Sequence, residues 1–233
     1  MNTLQTKILN SSSDYGGCLT TFVNAYSYAL LRKHPPLIRS FDHIHLDGIL
    51  LQLIVKVIMN KTIPRLSFDF TSLAEPIFHT AQKQQQNVFL IGSKTQEIEQ
   101  AARNIKQTFP GLDIIGFRNG YFDSDRTYRD VQKEITLLNP DIVIAGMGTP
   151  FQETFLVDLK KNGWKGTGFT CGGFFHQTAK NTEYYPEWAD RFNLRWAYRI
   201  LDEPYLFKRY TVDYLKGSLL FISDYLKNND KRH

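Results

Sequence analysis

Asp141-Ile142-Val143-Ile144-Ala145-Gly146-Met147-Gly148-Thr149-Pro150, continuing into Phe151-Gln152-Glu153, is the stretch on which the fold turns. Ile142–Ala145 is apolar without a break, as a strand buried on both faces must be. It runs into a glycine turn and then a helix expected from Gln152. Working outward, short apolar β-rich runs recur at Cys18–Val23, Asn87–Ile91, Asp113–Phe117 and Gly166–Thr170, and the intervening stretches Gln96–Thr108 and Thr127–Leu138 read as helices. That alternation predicts an α/β fold, a parallel sheet covered by helices. Ligands of such sheets gather at the carboxyl ends of the strands, where a helix N-terminus offers unpaired N–H groups to a phosphate. No third glycine stands at dinucleotide spacing and no Lys-Ser/Thr closes a P-loop, so a different nucleotide site is favoured over a nicotinamide or ATP site.

The 233 residues are 42% hydrophobic and 22% charged, which suits one generous globular unit. A formal charge of +5 favours anionic partners: nucleic acid, a phosphorylated small molecule or an acidic lipid surface. Cys18 and Cys171 are the only cysteines, too few for a disulfide framework or a structural zinc site, and both are expected in buried strands in a reducing compartment. Met1–Gly17 is polar and serine-rich and lacks the apolar core of a secretory signal, while Ile49–Met59 is interrupted by Gln52 and Lys56 and is too short to span a bilayer. The expectation is a cytoplasmic protein whose membrane contact is peripheral.

After Pro186 the composition changes. Trp188, Trp196, Tyr198, Tyr205, Phe207, Tyr210, Tyr214, Phe221 and Tyr225 alternate with Arg191, Arg195, Arg199, Lys208, Arg209, Lys216 and Lys227. Residues 1–185 are therefore read as the core and 186–233 as an aromatic, basic appendage. It is either a surface that meets anionic lipid headgroups or a helix packed on the core with solvated lysines.

The chain resembles the WecB/TagA/CpsF family, glycosyltransferase family 26, over roughly residues 18 to 210. Asp141 to Glu153 is similar to that family's PD-apolar-G-x-G-x-P-x-Q-E signature. Pro186-Glu187-Trp188, Asn193-Leu194-Arg195-Trp196-Ala197-Tyr198-Arg199, Asn119-Gly120-Tyr121-Phe122, Leu46-Asp47-Gly48 and Val23-Asn24-Ala25 match further elements in order. The resemblance implies a Rossmann-like core with helices on both faces and a C-terminal helical, membrane-proximal appendage. It also implies an inverting glycosyltransferase that moves a hexose or N-acetylhexosamine from a UDP-sugar to a polyprenyl-diphosphate-linked sugar, without a metal cofactor, for surface polysaccharide such as capsule, exopolysaccharide or teichoic-acid-like polymer. Its expected partners are the UDP-sugar donor, the lipid-linked acceptor, the anionic inner face of the bacterial cytoplasmic membrane and a homo-oligomeric copy.

Carried over by position, Asp47 is the catalytic base. The same carry-over puts Gln152 and Glu153 in the nucleotide-sugar site, where the matched elements also bring Asn24 and Tyr121, and gives Arg199 the matching Y-R position. On chemistry, Gly146, Gly148 and Gln152 offer N–H and amide groups to the leaving UDP, and Arg199, Lys208 and Arg209 offer cations to its diphosphate or the acceptor's. His176 either contacts the donor or is a satisfied polar residue beside the pocket. On the residues alone Asp47 is better read as the N-cap of a helix starting near Ile49, an order that the resemblance reverses, and any one of the basic residues suits a solvated surface. The departures are Phe22 where the family has threonine, with Thr20 and Thr21 adjacent; Ser67-Phe68-Asp69 where it has G-x-D; Tyr184 where it has arginine; and His176 where it has aspartate. Asp123-Ser124-Asp125 has the form of a metal-holding D-x-D element, but those residue types are equally common in turns. Two other classes remain: a non-catalytic nucleotide-sugar-binding component of the polysaccharide machinery, and a nucleic-acid binder, for which no motif is present, so no nucleic-acid partner is expected.

Overall fold

The computed structural model describes residues 3–9, 14–192 and 194–229; Asn193 of the quoted Asn-Leu-Arg-Trp segment lies outside them. Six parallel strands form one sheet: β1 (Leu19–Val23), β2 (His43–Leu46), β3 (Asn87–Gly92), β4 (Asp113–Arg118), β5 (Ile142–Gly146) and β6 (Thr167–Thr170), in the order β2-β1-β6-β5-β3-β4. The helices are α1 (Thr3–Leu9), α2 (Ala25–Leu31), α3 (Pro35–Arg39), α4 (Ile49–Met59), α5 (Ala74–Lys83), α6 (Thr95–Thr108), α7 (Asp125–Leu138), α8 (Phe151–Lys161), α9 (Phe174–Lys180), α10 (Glu187–Arg191), α11 (Arg195–Asp202) and α12 (Tyr214–Asn229). Short 3-10 and π turns at Pro204–Leu206 and Arg209–Asp213 join the last two.

The unbroken apolar runs are explained by the two-residue period of a strand. Val143, Ala145, Phe89 and Ile91 point into one core with α2, α4, α7, α8 and α12, while Ile142, Ile144, Val88 and Leu90 point into a second with α5, α6 and α9. The expected parallel sheet with helices on both faces and a C-terminal helix is what forms. The strand that sequence reading passed over is β2. His43-Ile44-His45-Leu46 alternates polar and apolar residues, yet all four are buried because Tyr15 packs against both histidine rings. The two cysteines do not sit within strands: Cys18 precedes β1 and Cys171 follows β6. The serine-rich start is also less simple than it reads, since α1 buries Leu4 and Ile8.

The end of the chain folds back on its beginning. α12 lies on α2 so closely that a Cβ at Gly217 would fall 1.8 Å from the Ala25 carbonyl oxygen. Phe221 meets the Tyr28 ring at 4.9 Å, and its carbonyl accepts a hydrogen bond from Gln5 Nε2 at 2.9 Å. Asp224 accepts from the Tyr28 hydroxyl at 2.7 Å and is gripped by both Arg32 nitrogens at 2.6 and 2.7 Å. The other side of α12 keeps Leu215, Leu219 and Leu226 exposed. The packed reading of the C-terminal helix therefore holds for one of its faces, while the other face is exposed. No helix among the described residues is long and apolar enough to cross a membrane.

Candidate active site

The chain leaves β3 toward β4 and leaves β5 toward β6, in opposite directions across the sheet, so a crevice opens between their carboxyl ends. It widens into a cleft of about 1040 Å³, roofed by residues from α11 to the start of α12. Asn24, Asp47, Tyr121, Gly146, Gly148, Gln152, His176, Arg199 and Arg209 all line it. Two of the expected site residues do not. Lys208 is exposed outside the cleft, and Glu153 is fully buried beneath its floor.

Asp47 directly follows β2 and is fixed by its backbone N–H, which donates to the Val23 carbonyl at 2.9 Å. The residue that caps α4 is Gly48, without a side-chain cap, so the Asp47 carboxylate is not spent on the helix. Burial raises its pKa to about 6. Arg65, Arg195 and Arg199 pull against that rise and Asp69 adds to it. A carboxylate so placed is ionised at neutral pH yet basic enough to take a proton. Asp69, from the segment that departs from the family pattern, accepts from Ser67 Oγ at 2.7 Å and pairs with Arg195 at 3.3 Å.

The glycine turn after β5 is held from below. Gly148 has φ +75 with open space around it, a conformation only glycine adopts freely, whereas Gly146 packs against Cys171 and Phe175. Gln152 bridges two loops: its Oε1 accepts from Gly172 N at 3.2 Å and its Nε2 donates to Glu153 Oε1 at 3.1 Å. The same Glu153 oxygen accepts from Thr21 Oγ1 at 3.0 Å and Thr149 Oγ1 at 3.1 Å, and Thr170 donates in turn to Thr21 at 2.9 Å. Glu153 Oε2 has no partner, and desolvation raises the carboxyl's pKa. Thr21 thus supplies a hydroxyl from the position next to Phe22. Asn24 is the N-cap of α2, accepting from Ser27 N at 3.0 Å, and presents its remaining surface to the cleft.

Across the cleft, Arg199 lies flat on Gly173, where a Cβ would meet its Nη1 at 3.0 Å, and it is ion-paired with Glu203. His176 stands between Glu97 at 2.9 Å and Glu203 at 3.4 Å. Ser93 and His176 hold the Glu97 carboxyl below its usual range in spite of its partial burial. His176, Asp202 and Glu203 bring one ligand atom each within 4.8 Å of one another. Glu203 is already paired with Arg199, and Asp202 with Lys180 at 2.7 Å and with Tyr184, so the carboxylates of this group are internally neutralised. Arg209 sits over the Tyr26 ring at 4.6 Å. In Asp123-Ser124-Asp125, Ser124 caps α7 through the Thr127 N–H at 3.2 Å and Asp125 opens the helix; neither aspartate lines the cleft.

Sequence reading assigns no role to Arg65 or Glu97 and places Arg195 among the cations of the appendage, yet all three line the cleft. Arg195 lay in a quoted motif. Arg65 is placed by a lone bridge to Leu46, which no local pattern announces.

A family model described as "Glycosyl transferase WecG/TagA/CpsF family" matches residues 1–231. The chain belongs to that family. It is 40% identical over 208 residues, covering 89% of this chain and 87% of the relative, to the UDP-Gal:alpha-D-GlcNAc-diphosphoundecaprenol beta-1,4-galactosyltransferase of Shigella boydii. It is 28% identical over 197 residues, 83% of this chain and 75% of the relative, to the N-acetylglucosaminyldiphosphoundecaprenol N-acetyl-beta-D-mannosaminyltransferase of Bacillus subtilis (strain 168). As a member of this family the protein is a glycosyltransferase with a Rossmann-like parallel sheet.

Proposed function

We propose that the protein transfers a hexose, with galactose the first donor sugar to test, from UDP to an N-acetylglucosamine carried on a polyprenyl diphosphate, by a single inverting displacement. The observation that carries this reading is the Asp47 carboxylate, raised to about 6 on the floor of a cleft that also gathers Arg65, Arg195 and Arg199. The two relatives, each named for an N-acetylglucosamine-diphosphoundecaprenol acceptor, support the substrate class.

In this scheme the acceptor hydroxyl oxygen attacks the anomeric carbon, its proton passes to Asp47, and the bond from that carbon to the β-phosphate oxygen breaks with its electron pair leaving on UDP. A positioned base of this kind contributes typically about 10²–10⁴ in rate. The charge growing on UDP needs preorganised donors. The backbone around Gly148, the start of α6 at Ser93 and Lys94, and the Arg199 and Arg209 guanidiniums are the groups assigned to it. Gln152 and Glu153 shape the turn that presents those amides. With cations and N–H groups in those places, the reaction is proposed to need no resident metal.

The appendage, residues 186–233, is proposed to rest on the anionic inner face of the cytoplasmic membrane, where the acceptor resides. Exposed Trp188, Phe192 and Phe207 beside Arg191 and Lys208 support that placement. Self-association, implied by the family resemblance, is tested by dilution; unchanged specific activity counts against it.

The decisive test is mass spectrometry of lipid-linked products formed in EDTA from a panel of UDP-sugars, with wild type beside Asp47→Asn. A one-sugar mass gain that the variant loses is the expected result. A gain that survives in Asp47→Asn removes the assigned base, and UDP binding without any gain from any donor favours the non-catalytic reading.

A further inference from the structure

α4 reads Ile-Leu-Leu-Gln-Leu-Ile-Val-Lys-Val-Ile-Met. A helix on a protein surface ordinarily carries its polar residues outward, and one that is apolar all round is either enclosed or faces something other than water. α4 is neither enclosed nor polar on its outer side. Leu51 and Val55 are buried in the core, while Leu50, Leu53 and Val57, spaced i, i+3 and i+7 on the opposite side, are 39%, 50% and 79% exposed. Gln52 is not available to make that side polar, because its amide donates to the Ile63 carbonyl at 2.7 Å. Only Lys56 remains as a free polar group on the helix.

The position of this stripe says what covers it. Leu50 and Leu53 form part of the lip of the cleft, three and six residues beyond Asp47, so the stripe begins where an acceptor enters and runs away from the reacting end. α4 also packs beside α12, which exposes Leu215 and Leu219, so exposed apolar side chains come from two neighbouring helices, one in the core and one in the appendage. Lys56 supplies a cation of the sign that a diphosphate or an anionic headgroup attracts.

Resting on the lipid-linked acceptor argued above, we infer that the outer face of α4 is the docking surface for the acceptor's polyprenyl tail and the bilayer it lies in. The core therefore carries its own lipid contact, separate from the appendage. Leu50 and Leu53 guide the first isoprene units out of the cleft, and Val57 enters the acyl boundary. Such a contact acts on long-tailed acceptors and on membrane binding, and leaves the chemistry at Asp47 untouched.

The experiment compares wild type with Val57→Glu, at a solvent-facing position outside the cleft lining where the fold tolerates a charge, with the melting temperature as the check. One readout is transfer to an acceptor with a full polyprenyl tail in phosphatidylglycerol-containing vesicles, set against transfer to a water-soluble acceptor with a short alkyl tail. The other is flotation with the same vesicles free of acceptor, which needs no catalysis. For Val57→Glu the expected result is a KM for the long-tailed acceptor raised about tenfold or more, the scale of one buried aliphatic side chain, weaker flotation, and an unchanged kcat/KM for the short-tailed one. Equal loss on both acceptors overturns the inference, as does unchanged flotation. So does unchanged flotation accompanied by a fall in oligomer mass, which gives the face to a second copy of the chain. If wild type transfers to neither acceptor, the transferase reading fails by itself, and flotation still decides the role of α4.

Discussion

Asp47 is costly to hold and is held in place anyway. Its folded pKa, about 6 against an ordinary 3.8, lies above the unfolded value. The stability associated with the protonated acid is therefore complete below the unfolded pKa and is lost as pH rises through 6. At neutral pH the ionised carboxylate costs about 1–3 kcal/mol. Asp47→Asn is expected to lower transfer by a factor of about 10²–10⁴ while raising the denaturation midpoint at pH 7, with little gain at pH 4. The same ionisation sets the acid limb of activity: kcat/KM should fall tenfold per pH unit below about 6, a profile read with a short-tailed acceptor to keep membrane effects out. Glu153 is the contrasting residue. It touches no substrate-facing surface, but its Oε1 receives Thr21, Thr149 and Gln152 together. Glu153→Leu strands three donors and is expected to cost about 2–4 kcal/mol and to raise KM for the donor as the turn loosens. Glu153→Gln, which keeps an accepting oxygen, should stay close to wild type in both, as measured by chemical denaturation and steady-state kinetics.

At the scale of elements, legibility followed how local the cause was. β5 and its turn could be read because burial on both faces writes an unbroken apolar run, and α6 and α7 because their apolar residues recur at helical spacing. β2 could not. Its His43 and His45 look like surface residues until Tyr15, from a distant loop, closes over them and donates to or accepts from His45 Nε2 at 3.2 Å. The same distance hid the fate of Asp47: the sequence offers it as a helix cap, and only the placement of Gly48 at the cap of α4 frees it. β2 carries its own prediction. Burial, with the His43 charge, lowers the His45 pKa to about 4, below its unfolded value, so the unfolded state takes the proton first. Stability is complete above about pH 6.5 and declines as pH falls toward 4, by about 2 kcal/mol at pH 5. His45→Gln should flatten that decline between pH 7 and pH 5 in urea unfolding, and an unchanged slope would move the acid sensitivity elsewhere.

For the whole molecule, the order of the chain and the order of the site differ. The base follows β2, the amide-rich turn follows β5, and the cations arrive from α11 and the turn before α12, so the cleft is complete only when the end of the chain is docked on its start. That docking is concentrated in Asp224, which holds Arg32 and Tyr28 on α2 and its C-cap, and in the close approach of Gly217 to Ala25. No window of sequence pairs residue 32 with residue 224, which is why the appendage could be read from composition but its attachment could not. Asp224→Ala leaves a half-buried arginine without its carboxylate and is expected to cost about 2 kcal/mol or more. Because Tyr210, in the turn before α12, and Tyr214, the first residue of α12, line the cleft, the loss should not stop at stability. Limited proteolysis should cut the variant faster between residues 200 and 215, and KM should rise more than kcat falls, since the roof loosens while Asp47 stays in place. If the variant melts earlier but keeps both its protease pattern and its KM, the C-terminal helix is only a support. The roof of the cleft would then be held by α11 and the residue after it, through the Arg199–Glu203 pair and the contact of Glu203 with His176.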